Sequence, residues 1–308
     1  MIAMQRFLIC LTLLVTMFPY ASAQSRKSSH DTAAELRTLL DVDRLPEYRK
    51  GIVEQISSYD PTGGNEDGFA GKYSYIRKEE GGLVLADLDG PGVVNRIWTP
   101  TPTRDTLLFF FDGEQEPRLR ICFADLFSGK VEPFVRPICA NEAGGYYCYF
   151  PFVYQKSLKI LFTGKGIQFH QIQYRSLEGM DVESYTTEIT PEIDRLTKAI
   201  VAKWSNLNPS YQDYAAGCSE KCDVRIENFT LAPGEEYCFF QADKGGRIAG
   251  FEIEAGDGFE GLNKDIILTA RWDDEQHYAI NAPAADFFWI RIWQACYAQC
   301  IDRQCLGA

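Results

Sequence analysis

The chain has 308 residues, a hydrophobic share of 45%, an aromatic share of 13% and a formal net charge of -12. This composition supports one large or two ordinary domains with sizeable cores and excludes a disordered chain. The acidic balance excludes a nucleic-acid binder, which needs a basic footprint, and otherwise reports on solubility.

Arg6 precedes an apolar run from Phe7 to Phe18, and Ala21-Ser22-Ala23 follows. The run is too short for a usual membrane span, and the small-residue triplet is an A-x-A cleavage site. Residues 1–23 therefore read as a signal peptide, cleaved near Ala23-Gln24, with no stable membrane anchor. The expected location is secreted or periplasmic. Beyond Cys10 the cysteines are Cys122, Cys139, Cys148, Cys218, Cys222, Cys238, Cys296, Cys300 and Cys305. Export permits disulfides. Cys218-x-x-x-Cys222 can close a small loop or offer two metal ligands. With His30, His170 and His277 the only histidines, and none beside that pair, zinc is the weaker choice. No metal and no cofactor is expected.

Residues 24–44 form an N-terminal segment with a short helix. Asp31 caps it, Leu36, Leu39 and Leu40 share one face, and Leu45-Pro46 ends it. Ser57 to Gly68 is a polar loop holding Asp60, Asn65, Glu66 and Asp67 beside Tyr59. It reads either as a solvated turn or as the wall of a sugar or metal site. From Lys72 to Tyr174 the pattern is β throughout. Tyr73 to Arg77, Leu83 to Leu85, Val93 to Trp98, Thr106 to Phe111, Tyr146 to Phe150, Leu158 to Phe162 and Ile167 to Tyr174 are predicted strands, separated by Gly/Pro turns. Thr190 and Pro191 open a helix whose stripe is Ile193, Leu196, Ile200 and Trp204. A second β region starts near Val224, with a turn at Leu231 to Gly234 and strands at Ile248 to Glu254 and Ile266 to Trp272.

The two β regions repeat at an offset of 161 residues. Asp112 matches Asp273, Glu114 matches Glu275, Gln115 matches Gln276, Leu119 matches Ile280, and Ala124-Asp125 with Phe127 matches Ala285-Asp286 with Phe288. The fold class that follows is mainly β: two tandem jelly-roll β-sandwich domains joined by a helix, the second incomplete. The boundaries read 45–180 for the first domain, 181–222 for a helical linker and 223–288 for a partial second domain. Residues 289–308 change character, with Cys296-x-x-x-Cys300 and Cys305. A metal or disulfide site is one reading of this tail; a frameshift near codon 288 is the preferred one. On that reading the chain as given is expected to fold poorly.

The run Ser57-Ser58-Tyr59-Asp60-Pro61-Thr62-Gly63-Gly64-Asn65-Glu66-Asp67 closely resembles the N-terminal motif of a family, long called a domain of unknown function, that includes glycoside hydrolase family 172. Gly90-Pro91-Gly92-Val93-Val94-Asn95-Arg96-Ile97-Trp98 is a second marker. Asp112-Gly113-Glu114, Ala124-Asp125-Leu126-Phe127 and Tyr146 to Pro151 are further ones. The resemblance covers roughly residues 45–288. It implies tandem jelly rolls, homotrimers or hexamers, and cleavage of fructofuranoside or arabinofuranoside linkages. It also implies two catalytic glutamates in the second domain. The matching segments here are Gly261-Leu262-Asn263-Lys264-Asp265 and Asn281-Ala282-Pro283-Ala284-Ala285-Asp286-Phe287, which hold none.

A glycosidase needs two carboxyl groups across the scissile bond, and aromatic faces suit sugar rings. Glu142, just before Tyr146 and Tyr147, is the favoured proton donor, and Asp67 its favoured partner. Asp60, Asn65, Glu66, Arg96, Trp98 and Tyr146 are the candidate substrate-binding residues. Each has a plainer counterpart. Glu142 can be a surface residue, Asp67 a turn residue, Arg96 an ion-pair partner of Asp60 and Trp98 core. His170 reads as a buried or edge residue. No Gly-x-Ser-x-Gly elbow occurs. The expected function is an exported glycoside hydrolase-like protein acting on furanoside-containing glycans, with carbohydrate as its partner. The alternative is a non-catalytic carbohydrate-binding or assembly protein of the same fold, including an inactive copy.

Overall fold

The computed structural model describes residues 29–41, 44, 49–142, 144–206, 223–246, 248, 250–253 and 264–287. The expected signal peptide, the expected Leu45-Pro46 helix stop, the Cys218 and Cys222 pair, Gly261 to Asn263 and the tail 289–308 lie outside the described residues. The chain divides into two compact units, Met1–Asn208 and Pro209–Ala308.

The first unit is an antiparallel β-sandwich. One sheet is ordered β1 (Val53–Ser57), β13 (Gln171–Ser176), β4 (Gly92–Thr99), β10 (Gly145–Cys148), β9 (Cys139–Glu142), with β11 (Phe152–Tyr154) also on β4. The other is ordered β2 (Arg77–Glu79), β3 (Gly82–Asp89), β12 (Ser157–Phe162), β5 (Thr106–Phe111), β6 (Leu119–Cys122). The eight principal strands split as β1-β13-β4-β10 and β3-β12-β5-β6, the order of a jelly roll. A short helix α2 (Phe123–Leu126) and a small ribbon of β7 (Lys130–Val131) and β8 (Phe134–Val135) follow β6.

Alternation explains the layers. In β5 the side chains of Leu107, Phe109 and Phe111 are buried while their neighbours are half-exposed. β3 is buried for four residues in a row, Leu83 to Ala86, and its pairing with β12 shifts register between Ile160 and Leu161, which brings both Leu85 and Ala86 into the core cluster. Such a bulge turns successive residues towards the same side. The filling is aromatic. Phe109 and Phe152 stack across the sheets at 4.8 Å, and Phe111, Phe134, Phe150, Phe162 and Tyr185 join the same cluster.

Two helices complete the unit. In α1 (Thr32–Leu40) the Asp31 carboxylate accepts from Ala34 N at 2.8 Å, and Ala33 and Leu36 enter the core. In α3 (Pro191–Trp204) the Thr190 hydroxyl accepts from Ile193 N at 3.2 Å and Pro191 sits in the first turn, where its missing N–H costs nothing. Ile193, Leu196 and Ile200 are buried and Trp204 is half-buried. The Trp204 indole N–H donates to Leu39 O at 3.1 Å, tying α3 to α1.

One predicted strand is absent. Tyr73 to Ile76 alternate in sequence, but Gly71 takes φ 70 and the Ser74 N–H turns back to Gly71 O at 3.3 Å. The ladder begins only where the Ile76 N–H reaches Val84 O, ahead of β2. Similarly, β13 starts at Gln171, and Ile167 to His170 form the loop before it. In this unit β1, β6, β7, β8, β9 and β11 were not read from the sequence as strands.

The second unit contains β14 (Ile267–Ala270), β15 (Ile280–Pro283) and α4 (Ala284–Phe287). The described residues between 223 and 253 carry no strand or helix, including the described part of the strand expected at 248–254. The hairpin reproduces its first-unit counterpart at an offset of 161. Thr106 to Phe109 pair with Cys122 to Leu119, and Ile267 to Ala270 pair with Pro283 to Ile280. Asp112 (φ 53) and Asp273 (φ 40) both turn left-handed. The Glu114 N–H donates to Phe111 O and the Glu275 N–H to Trp272 O; the Phe123 N–H donates to Asp105 O and the Ala284 N–H to Ile266 O. The internal repeat is therefore structural down to single hydrogen bonds.

Candidate functional site

The polar loop Ser57 to Gly68 is built around Asp60. Its carboxylate accepts from Thr62 Oγ1 (2.6 Å), Thr62 N (2.8 Å) and Glu66 N (3.3 Å), while its own N–H donates to Asp67 Oδ1 (2.5 Å). The Thr62 hydroxyl, with these backbone donors, outweighs shielding and holds the Asp60 carboxyl below its usual range. Asp60 is 7% exposed, shielded by its own loop. Asn65 takes the left-handed φ 58 that asparagine tolerates. Gly68 (φ 74) is required twice over: a Cβ there would lie 2.7 Å from the Phe169 ring and 3.0 Å from Ser58 Oγ. Ser58 is zipped to the entry of β13, its N–H donating to His170 O (3.2 Å) and its Oγ accepting from His170 N (3.3 Å).

This rigid loop walls a cleft of about 410 Å³, within the size range of small-molecule sites. The lining combines Ile56 and Ser57 from β1, the edge of one sheet, with Tyr73, Tyr75 and Ile76 leading into β2, the edge of the other. Tyr59, Pro61, Lys72, Leu85 and His170 complete it. Tyr59 is 60% exposed at the rim. Lys72 Nζ lies 4.7 Å above the Tyr73 ring and 3.5 Å from Glu66 Oε2. Contact with Tyr73, and then Glu66, raises the Lys72 ammonium above its usual range.

His170 is the unusual member. It is 2% exposed, and neither ring nitrogen makes a hydrogen bond of normal geometry. Burial pushes its imidazole down to about 4, with the Gln168 backbone opposing only in part. At neutral pH the ring is uncharged and offers one donor and one acceptor. Leaving such groups unpaired costs about 1–3 kcal/mol. Tyrosine faces beside a neutral donor–acceptor pair suit an uncharged, hydroxyl-rich ring.

None of the eight residues singled out in the sequence lines this cleft. Asp60 and Asp67 hold the loop together through their carboxylates, Asn65 sets a left-handed turn, and Glu66 gives its N–H to Asp60 while its carboxylate lies 3.5 Å from Lys72 Nζ. The Asp60 carboxylate is engaged by Thr62 and Glu66 N, and the ion pair with Arg96 is a correction. Arg96 instead donates to Gln171 Oε1 at 2.9 Å and lies 5.9 Å over the Trp98 ring. Trp98 is half-buried and pairs with Tyr147 and Gln171. Tyr146 packs edge-on against Phe127 at 6.1 Å, on the core side.

Glu142 ends β9, exposed, and accepts from the Tyr147 hydroxyl at 3.4 Å. Burial first, and the Glu142 charge second, push the Tyr147 phenol up to about 12. Glu142 and Asp67 are not brought together. Asp67 is held at the end of β1, and β9 is the opposite edge of the same sheet. Four strand spacings separate those edges, on the order of 19 Å, whereas a glycosidase pair stands about 5–9.5 Å apart. In the second unit Ala285, nearest the catalytic glutamate implied by the resemblance, is buried in α4, and its neighbour Asp286 pairs with Lys264 at 2.6 Å. Among the described residues no cluster of three His, Cys, Asp or Glu side chains is arranged for a metal ion.

Tyr73 and Tyr75 were visible in sequence only as an alternating run taken for a strand, Tyr59 as part of the polar loop, and His170 only as a buried or edge residue. The family model described as the GH172 first beta-sandwich domain matches residues 49–192, and that described as GH172 domain-like matches residues 221–295. No curated protein matches the chain significantly. Loop, sandwich and repeated hairpin all fall inside the two matched regions, and the chain belongs to the GH172 family.

Proposed function

We propose that the protein is an exported, glycoside hydrolase-like member of this family that recognises furanoside-containing glycans, with the first-unit cleft as a sugar-binding site. The carrying observation is the buried, unpartnered His170 at a cleft faced by Tyr59, Tyr73 and Tyr75. Export rests on the leader-like residues 1–23. Assembly into a homotrimer or hexamer belongs to the same reading. Exposed apolar side chains on the β1 and β2 side, Ile52, Val53 and Ile76, are suited to burial by another copy.

A second reading, binding without turnover, is favoured by the buried Ala285 where the resemblance implies a catalytic carboxylate. One experiment addresses both. Fructofuranosyl and arabinofuranosyl oligosaccharides are titrated calorimetrically into the purified chain, and released sugar is assayed in parallel. Binding that weakens at least tenfold in Tyr73→Ala, with sugar released, supports the hydrolase. Binding without release supports the second reading. No binding of either series overturns the cleft assignment.

A further inference from the structure

Two thiols face each other inside the first unit. Cys139 opens β9 and Cys148 closes β10, and the register sets them directly opposite. One step outward, the Tyr149 N–H donates to Ile138 O at 3.0 Å. Hydrogen-bonded and non-hydrogen-bonded pairs alternate along an antiparallel ladder, so Cys139 and Cys148 occupy a non-hydrogen-bonded pair, where Cα atoms are about 4.5 Å apart and side chains closest. That separation lies inside the roughly 4.4–6.8 Å a disulfide spans. Both residues are 0% exposed, and their sulfurs lie 3.2 Å apart as free thiols. Cys122 and Cys238, the other described cysteines, are half-buried and exposed.

We propose that Cys139 and Cys148 are joined by a disulfide in the mature protein, clamping the β9–β10 hairpin that carries Glu142, Tyr146 and Tyr147. The two thiols give up two protons and two electrons as the S–S bond forms. An oxidised thiol–disulfide carrier accepts them and is reduced to two thiols, through a mixed disulfide. Once the sheet has closed, no carrier reaches either sulfur, and burial keeps the Cys139 thiol protonated, well above its usual range. The exchange therefore belongs to folding, before the hairpin packs onto the core. Only the natural source of the carrier rests on the export reading.

The full chain is refolded in a buffer of oxidised and reduced glutathione, its thiols are blocked, and it is mapped by mass spectrometry without reduction. Both cysteines fall in one tryptic peptide, because Arg136 precedes Pro137 and the next cut is at Lys156. The link is expected as the loss of two hydrogens and resistance to blocking. Cleavage after Glu142 then leaves two halves still joined. Reduction is expected to lower the Tm by about 5–10 °C, and a Cys139→Ala/Cys148→Ala variant to show no response to reductant. Linkage in the refolded wild type supports the proposal whatever the native compartment. Blocked thiols at both positions, or Cys139 joined to another cysteine, overturn it without any variant needing to fold.

Discussion

His170 shows how a residue without an obvious motif comes to dominate a site. It sits one position before β13, fixed by backbone bonds to Ser58, and its ring reaches a cleft instead of a partner. Of the carboxylates that draw attention in the sequence, Asp60 and Asp67 are nearby and bond within the loop. Asp and Asn were legible as turn formers; that the turn would use up their oxygens was not, because that depends on Thr62, Glu66 and Asp67 folding back on Asp60. His170 also makes a prediction on pH. Its imidazole titrates near 6.5 when unfolded and near 4 in the fold. Between these values the unfolded state binds more protons, so stability rises with pH. The contribution is fully present above about pH 6.5 and lost as pH falls towards 4, and it amounts to about 3 kcal/mol. In a His170→Phe variant the Tm between pH 4 and 6.5 is expected to flatten. An unchanged slope would show that the ring is solvated in the folded protein. The carboxyls held low, such as Glu35 and Asp112, begin to lose their contribution as pH falls through their unfolded values, 4.5 and 3.8, so they share the acid end of this window and the slope above about pH 5 reports on His170.

At the scale of elements, what joins helix to sheet is an ion cluster that sequence does not announce. Glu35, 2% exposed on α1, accepts from Arg175 of β13 at 2.5 Å, from Asn95 of β4 at 3.1 Å, and contacts His30 at 2.5 Å. Burial alone would raise its carboxyl; the His30 hydrogen bond and the Arg175 charge prevail and lower it. Removing Glu35 leaves Arg175, 11% exposed, buried without its partner, which costs about 3–5 kcal/mol. Arg37 and Glu192 also pair, between α1 and α3, but both are 48% exposed, and such a pair contributes at most about 1 kcal/mol. Urea unfolding should therefore rank Glu35→Ala well below Arg37→Ala in midpoint, and the reverse order would refute a buried-pair anchor. The elements themselves were legible where one local rule dominates. Thr106 to Phe111 alternates and is β5 to the residue; Thr190-Pro191 caps α3. Tyr73 to Ile76 alternates for a different reason: those side chains line a cleft while a glycine turn keeps the backbone out of the ladder. β1 escaped notice because its side chains are exposed or half-buried and mark no apolar face.

Across the whole molecule, the two units differ in how well each covers its own apolar surface, although they share a hairpin. In the first, one large cluster runs from Ala33 to Ile200 and takes in both sheets and both long helices, with a smaller one of Val93, Val153, Leu177 and Val182. In the described part of the second, Ile226 is 83% exposed, Ile267 52%, and Val224, Phe229, Leu231, Tyr237, Phe240, Trp272 and Tyr278 are exposed as well. Hydrophobic burial supplies most of the drive to fold, and exposed apolar surface of this extent promotes association. The repeat was readable because it preserves hydrogen-bonding positions such as Asp112 and Asp273. Burial was not readable, because it depends on what each hairpin packs against. A chain of residues 24–206 is therefore expected to be soluble and to melt in one cooperative transition, since its core contains no residue from the second unit. The 308-residue chain is expected to scatter more light at equal concentration and to bind a hydrophobic dye such as ANS. Equal scattering from the two, with no dye binding by the longer chain, would mean that the apolar side chains of the second unit are covered in solution. A shorter chain that fails to melt cooperatively would mean instead that the first unit draws stability from beyond residue 206.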